Sequence, residues 1–155
     1  MSAEQLKDTV AMPVIGKPPA AVQVTWAGDH LFDGARLSGG PSIRLDSSGK
    51  QGPSPVDALL CALASCTGVD VVDILAKRRT PLSAFSVDVV GERSPGTPGR
   101  LTKIHLEYRM IGADVERAHA ERAIELAVTK YCSVRDSLDP NMPVTWALEL
   151  NGSRE

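Results

Sequence analysis

Aromatic side chains are scarce in this 155-residue chain, at 4% of the total. That leaves too few rings for a base-stacking surface on single-stranded nucleic acid. Charge of one sign is missing too. Seventeen Lys and Arg stand against 19 Asp and Glu, a formal net charge of −2, which gives no electrostatic footprint for a phosphate backbone or an anionic bilayer. No long apolar run is present either. The stretch 58–69 is too short to cross a membrane, and Asp57, Asp70 and Asp73 interrupt its extension. The first ten residues carry Glu4, Lys7 and Asp8 and no apolar core, so they do not read as a secretory signal. The histidines, His30, His105 and His119, are widely spaced and form no metal-ligand pattern with the cysteines. They read as structural or surface residues, and no metal is expected. Three cysteines is an odd count in a chain too large to depend on a disulfide framework. A reducing, cytoplasmic compartment is the natural reading, where a disulfide is more often transient and catalytic than structural.

What is present fits one ordered domain, with 43% hydrophobic and 23% charged residues. Residues 1–20 are polar and then Pro-rich and read as an N-terminal arm, 21–150 as a single domain, and 151–155 as a tail. Val22, Val24 and Trp26 alternate with polar residues, the signal of a half-buried strand. Turn residues at Gly28-Asp29 and at 38–41 separate it from strands expected near 30–37 and 42–46. A long helix follows: Ser54 suits its N-cap, Pro55 its first position and Asp57 the capping box, with Lys77 in the last turn and Pro81 beyond it. Apolar residues surround most of that helix, so it is expected to be central and buried. Phe85, Val87 and Val89 alternate in a further strand. In the next, Ile104, Leu106, Tyr108 and Met110 face one way and Lys103, His105, Glu107 and Arg109 the other, which fits an antiparallel sheet wet on one face. A second amphipathic helix is expected from about Asp114 to Lys130, with Ile124, Ala127, Val128 and Tyr131 at helical spacing. A short helix opens after Cys132, and a last strand alternates Val144, Trp146, Leu148 and Leu150. The fold class is α+β.

A thiol does redox chemistry as the thiolate, which needs a local positive field and some access. Cys132 directly precedes the short helix, whose free N–H groups would lower its pKa. Cys66 lies inside the long helix, far from its ends, and needs an arginine from elsewhere. Cys61 sits about 140° around the helix from Cys66, at roughly 100° per residue, and does not share its surroundings. The plainer reading makes all three small buried hydrophobes, a common fate of free cysteine.

The segment Gly52-Pro53-Ser54-Pro55-Val56-Asp57-Ala58-Leu59-Leu60, continuing through Ala64-Ser65-Cys66-Thr67, resembles the central-helix signature of the OsmC/organic-hydroperoxide-resistance (Ohr) superfamily. Residues 69–75 look like its OsmC-like, non-Ohr branch, and Lys130-Tyr131-Cys132-Ser133-Val134 resembles its second-cysteine motif. The likeness covers nearly all of residues 21–150. It implies an OsmC-like fold, antiparallel sheets packed around a long central helix in an intertwined homodimer. It also implies reduction of organic hydroperoxides in oxidative-stress defence: Cys66 the peroxidatic residue, Cys132 the resolving one, and a dithiol, such as one of lipoyl type, as reductant. That cycle needs no cofactor. Without turnover, the same fold would serve as a small-molecule-binding or redox-responsive stress protein.

The Ohr branch holds its reactive thiolate with an Arg–Glu pair, and this chain departs from it. Its glutamate position is Val56 here. Asp57 lies next door but on the opposite helix face from Cys66, within reach of a partner chain's cysteine, or simply a capping carboxylate. For the arginine, Arg36 and Arg44 in the first strands and Arg135 after Cys132 are the candidates. Asp70 and Asp73, on the Cys66 side by helical spacing, would oppose its ionisation if close and dry.

Overall fold

The computed structural model describes residues 16–155; most of the expected N-terminal arm lies outside them. The chain forms two compact units that divide between Pro55 and Val56.

The described part of the first unit is a three-stranded antiparallel meander in the order β1 (Val22–Trp26), β2 (Leu31–Arg36), β3 (Ile43–Asp46). Gly28 at φ 97° and Asp29 at φ 44° supply the left-handed turn joining β1 to β2. The three strands fall where their alternation puts them, but the half-burial expected of β1 does not occur. Val22, Val24 and Trp26 are 62, 53 and 65% exposed. Alternation sets which residues share a face; covering that face requires another layer.

β3 ends in a structured loop built on one carboxylate. Asp46 is 2% exposed and accepts hydrogen bonds from the Ser48 hydroxyl and from the backbone N–H groups of Ser48, Lys50 and Gln51. These donors hold its pKa down at about 2. The loop closes tightly: a Cβ on Gly52 would lie 2.4 Å from the Arg44 carbonyl oxygen. Because folding depresses this pKa, the stabilisation is complete above the carboxylate's ordinary value near 3.9 and is lost as pH falls through about 2. Urea midpoints followed from pH 5 down to about 2 are therefore expected to lose part of their acid slope in Asp46→Ala.

The second unit begins with α1 (Pro55–Lys77), bounded as Ser54, Pro55 and Pro81 predict. It then adds β4 (Ala84–Arg93), β5 (Leu101–Ile111), α2 (Arg117–Leu126), a π-turn at Ala127–Tyr131, α3 (Ser133–Asp136) and β6 (Val144–Leu150). β5 is the middle strand, antiparallel to β4. The expectation of purely antiparallel sheets fails at β6, which runs parallel to β5. The connection between them carries both shorter helices, long enough to return the chain to the same end of the sheet.

Ile104, Leu106, Tyr108 and Met110 on one face of β5 are buried, at 0 to 1% exposure. Leu63, Thr67, Gly68, Val71 and Leu75 of α1 are buried in the same unit, as are Ala120, Ala123 and Ile124 of α2. Gly68 permits close approach: a Cβ there would meet the Phe85 ring at 3.3 Å, and that ring stacks on Tyr108 at 6.1 Å between centroids.

Burial of α1 is one-sided, contrary to the expectation from its composition. Cys61, Ser65, Val69, Val72 and Asp73 are exposed. Its full 23 residues are long and apolar enough to span a bilayer, more than the stretch 58–69 suggests, but its inner face packs as the core helix of an α+β layer. α2 starts at Arg117, because Ala113 and Asp114 form a turn that sends Val115 into the core instead.

Candidate functional site

Cys66 sits on α1, half-buried, one residue before the buried Thr67. Cys132 reaches the same place through the π-turn. Its backbone N–H donates to the Ala127 carbonyl, five residues back, at 3.0 Å. A wide turn of this kind advances the chain by less angle per residue than an α-helix. Consequently Tyr131, expected on the buried face, is 49% exposed, whereas Cys132 is 4% exposed. Short π segments of this kind are frequent at functional sites.

The Cys66 side chain lies close enough to Cys132 to raise the pKa of its thiol. All three cysteines are free thiols. Cys132 is also the N-cap of α3, its Sγ accepting the Arg135 backbone N–H at 3.3 Å. That contact favours the thiolate, as the sequence suggests, but it does not decide the outcome. Burial pushes the Cys132 thiol up to about 11, the Cys66 side chain adds to the rise, and the N–H donor offsets only part of it. Desolvation outweighs the backbone N–H groups of Arg135 and Val134 because burial withholds the water that would solvate the thiolate.

A buried hydroxyl pair underlies the two sulfurs. Tyr108 donates to Thr67 Oγ1 at 2.8 Å, and Thr67 Oγ1 donates to the Ala64 carbonyl at 3.1 Å. Burial raises the Tyr108 pKa to about 12, partly offset by Thr67 and reinforced by Cys132. Neither hydroxyl stands out as a site residue in the sequence. The available signal was a phenol on an otherwise apolar strand face, next in space to the threonine that follows Cys66.

Among the candidate thiolate partners, the guanidinium groups of Arg135 and Arg44 bind other groups. Arg135 meets Cys132 through its backbone, and its guanidinium donates to the Asp139 and Met142 carbonyls at 3.1 and 3.0 Å. Arg44 forms a two-point pair with Asp33, at 2.9 and 2.8 Å, across a β2–β3 register position. Arg36 is exposed at the end of β2. Asp57 stands in the first turn of α1 and lines a cleft with Cys61, Ala64 and Val87, on the far side from Cys66 as helical spacing requires. Asp73 is exposed and borders the groove on the outer side of α1, so water is available to its carboxylate. His105 bridges Thr145 and Glu107 on the outer sheet face, at 2.8 and 3.3 Å. Among the described residues no cluster of three metal-ligating side chains occurs.

Two cavities flank this region of the second unit. One, of about 330 Å³, is lined by Val128, Lys130, Cys132, Arg135, Asp136 and Val144 among others. The second is a broad apolar groove of about 520 Å³ between the outer side of α1 and β4, lined by Cys61, Val69, Val72 and Phe85 among others.

A pair of neighbouring thiols, with one sulfur opening onto a pocket, has the chemistry to cycle between dithiol and disulfide. The OsmC-like protein family matches residues 47–147. Protein YhfA of Escherichia coli (strain K12) is 33% identical over 128 residues, spanning 83% of this chain and 96% of its own length. An OsmC like protein from Mycoplasma pneumoniae superposes with a TM-score of 0.72 at 16% identity, over 85% of this chain and 96% of that one. The organic hydroperoxide resistance protein OhrB of Bacillus subtilis gives 0.55 at 17% identity, over 86% and 98%. The chain belongs to the OsmC-like protein family, in the branch outside the Ohr proteins.

Proposed function

We propose that this protein is a thiol peroxidase that reduces organic hydroperoxides in oxidative-stress defence. The observation that carries this reading is that Cys66 and Cys132, remote in sequence, lie side by side in the fold, Cys66 packed against the buried cluster that holds Cys132. It gains support from the fold shared with a protein named for organic hydroperoxide resistance. The Cys66 thiolate attacks one peroxide oxygen, the O–O bond breaks, and the other oxygen leaves as alcohol after taking a proton. Cys66 becomes a sulfenic acid. Cys132 then attacks that sulfur, water leaves, and a disulfide forms; a dithiol returns both residues to thiols. The assignment of Cys132 as resolving rather than attacking residue is supported by burial, which pushes its thiol up to about 11.

The active form is a homodimer. The exposed apolar residues of α1 and β1 and the 520 Å³ groove support this, because faces of that kind seek cover. A cytoplasmic location suits three free thiols.

The test is peroxide loss when the reduced protein is mixed with cumene hydroperoxide and a dithiol. No excess over Cys66→Ser anywhere from roughly pH 6 to 9 would rule the activity out. Consumption of one peroxide per chain without turnover would instead identify a redox-responsive protein. The apolar groove favours a second reading, a small-molecule-binding protein, which native mass spectrometry would reveal as a co-purified apolar ligand.

Disulfide closure has its own pH signature. Attack by Cys132 needs its thiolate, which is rare at neutral pH because burial holds the thiol near 11. The sulfenic acid lifetime is expected to shorten by up to about tenfold per pH unit from roughly pH 7 to 9. Timed dimedone trapping after one equivalent of peroxide measures it.

A further inference from the structure

Once Cys66 and Cys132 are joined, an incoming thiolate has two sulfurs to choose from, and only one of them lines a cavity able to hold the thiol's carrier. Cys132 lines the cavity of about 330 Å³, and Cys66 is not among its lining residues. Cys132 belongs to the buried cluster and Cys66, the more exposed of the two, packs against it, but the open space beside the pair is on the Cys132 side. We propose that the reducing thiol enters this cavity and attacks the Cys132 sulfur, so that the mixed disulfide forms on Cys132 and Cys66 departs. The inference rests on the peroxidase reading above and adds to it the route and the site of reduction.

The electrons balance as follows. The reductant thiolate bonds to Cys132 Sγ and the Cys66–Cys132 bond breaks, its electron pair leaving on Cys66. A second reductant sulfur then attacks the first, forming the reductant disulfide and releasing Cys132, which takes a proton. Two electrons pass from the dithiol to the protein.

Leaving-group chemistry points the same way as the geometry. Thiol–disulfide exchange favours departure of the sulfur whose thiol is the stronger acid. Attack on Cys66 would expel Cys132, whose thiol is pushed up to about 11 by burial. The cavity is of a size that suits a small flexible molecule. Its lining carries Lys130 and Arg135 against Asp136, a local excess of positive charge that favours an arriving thiolate. The ligand is therefore a small aliphatic thiol or dithiol.

The experiment begins by oxidising the full-length protein with one equivalent of cumene hydroperoxide and checking by intact mass for loss of two hydrogens. If no intramolecular disulfide forms, the peroxidase reading itself fails at that step. The disulfide form is next mixed briefly with 2-mercaptoethanesulfonate, quenched with acidic N-ethylmaleimide, and mapped by peptide mass. The expected early product carries the sulfonate thiol on Cys132 and maleimide on Cys66. A majority with the opposite arrangement would overturn the route while leaving peroxidase activity intact. As a second measurement, Thr129→Trp places a ring in the same cavity, and the rate of reduction by this thiol is expected to fall roughly tenfold or more. A normal rate in a folded variant would equally overturn it.

Discussion

Cys66→Ser is expected to bring steady-state peroxide turnover down to background, a fall of about a thousandfold or more, as when a catalytic nucleophile is removed. Serine keeps the size of the side chain but not the chemistry, since its hydroxyl does not ionise near neutral pH. Cys132→Ser behaves differently. Its Cys66 still consumes about one equivalent of peroxide per chain but stops as a sulfenic acid, because serine cannot close the disulfide. Stopped-flow peroxide consumption, followed by dimedone labelling and mass spectrometry, separates the two. A Cys132→Ser protein that turns over normally with dithiol would show that resolution bypasses Cys132. Because Cys132 is 4% exposed and caps α3, circular dichroism of both variants belongs beside the kinetics.

The second large effect is on stability. Leu106 is fully buried on the middle strand of its sheet, between Val89 of β4 and Trp146 of β6 in register. Leu106→Ala is expected to cost about 2–5 kcal/mol, the lost transfer energy plus the cavity left between layers that relax only partly. That is a large share of a typical domain stability of about 5–15 kcal/mol. Val90, on the outer face of β4 and 63% exposed, is the matched control, and Val90→Ala is expected to change stability by no more than about 0.5 kcal/mol. Urea unfolding of the two variants at one fixed protein concentration measures the difference, since association through the exposed apolar faces would add a concentration-dependent contribution.

Much of this architecture was legible locally. Ser54, Pro55 and Asp57 announce the start of α1, and Pro81 lies just past its end, because capping and φ restriction act over a few residues. The alternation along β5 predicted its buried face residue by residue, since side chains on a strand must point to opposite sides. The π-turn left no such mark. Ala127, Val128 and Tyr131 have the spacing of an ordinary helical face, and nothing in their composition says that the chain widens there and turns Cys132 inward instead. The parallel pairing of β6 was equally hidden, because strand direction depends on the path of the connection and not on strand content.

At the site, the cysteine motifs were legible and their electrostatics were not. A residue preceding a short helix receives N–H donors, and Cys132 does receive one from Arg135. Its protonation state follows burial instead. Arg135 was a reasonable thiolate partner by proximity in sequence, yet its guanidinium fastens the 139–142 loop, a competition that only the loop's position reveals.

The amino-acid order alone determined most of the elements, the apolar stripe of each strand and the two cysteine motifs, because these depend on torsional preferences and on side-chain chemistry. Packing decided that Cys66 and Cys132 lie side by side, that burial raises the Cys132 pKa while its sulfur faces a cavity, and that one side of α1 remains uncovered in the single chain. Through-space distance and loss of water are properties of assembled atoms, and no stretch of sequence carries them by itself.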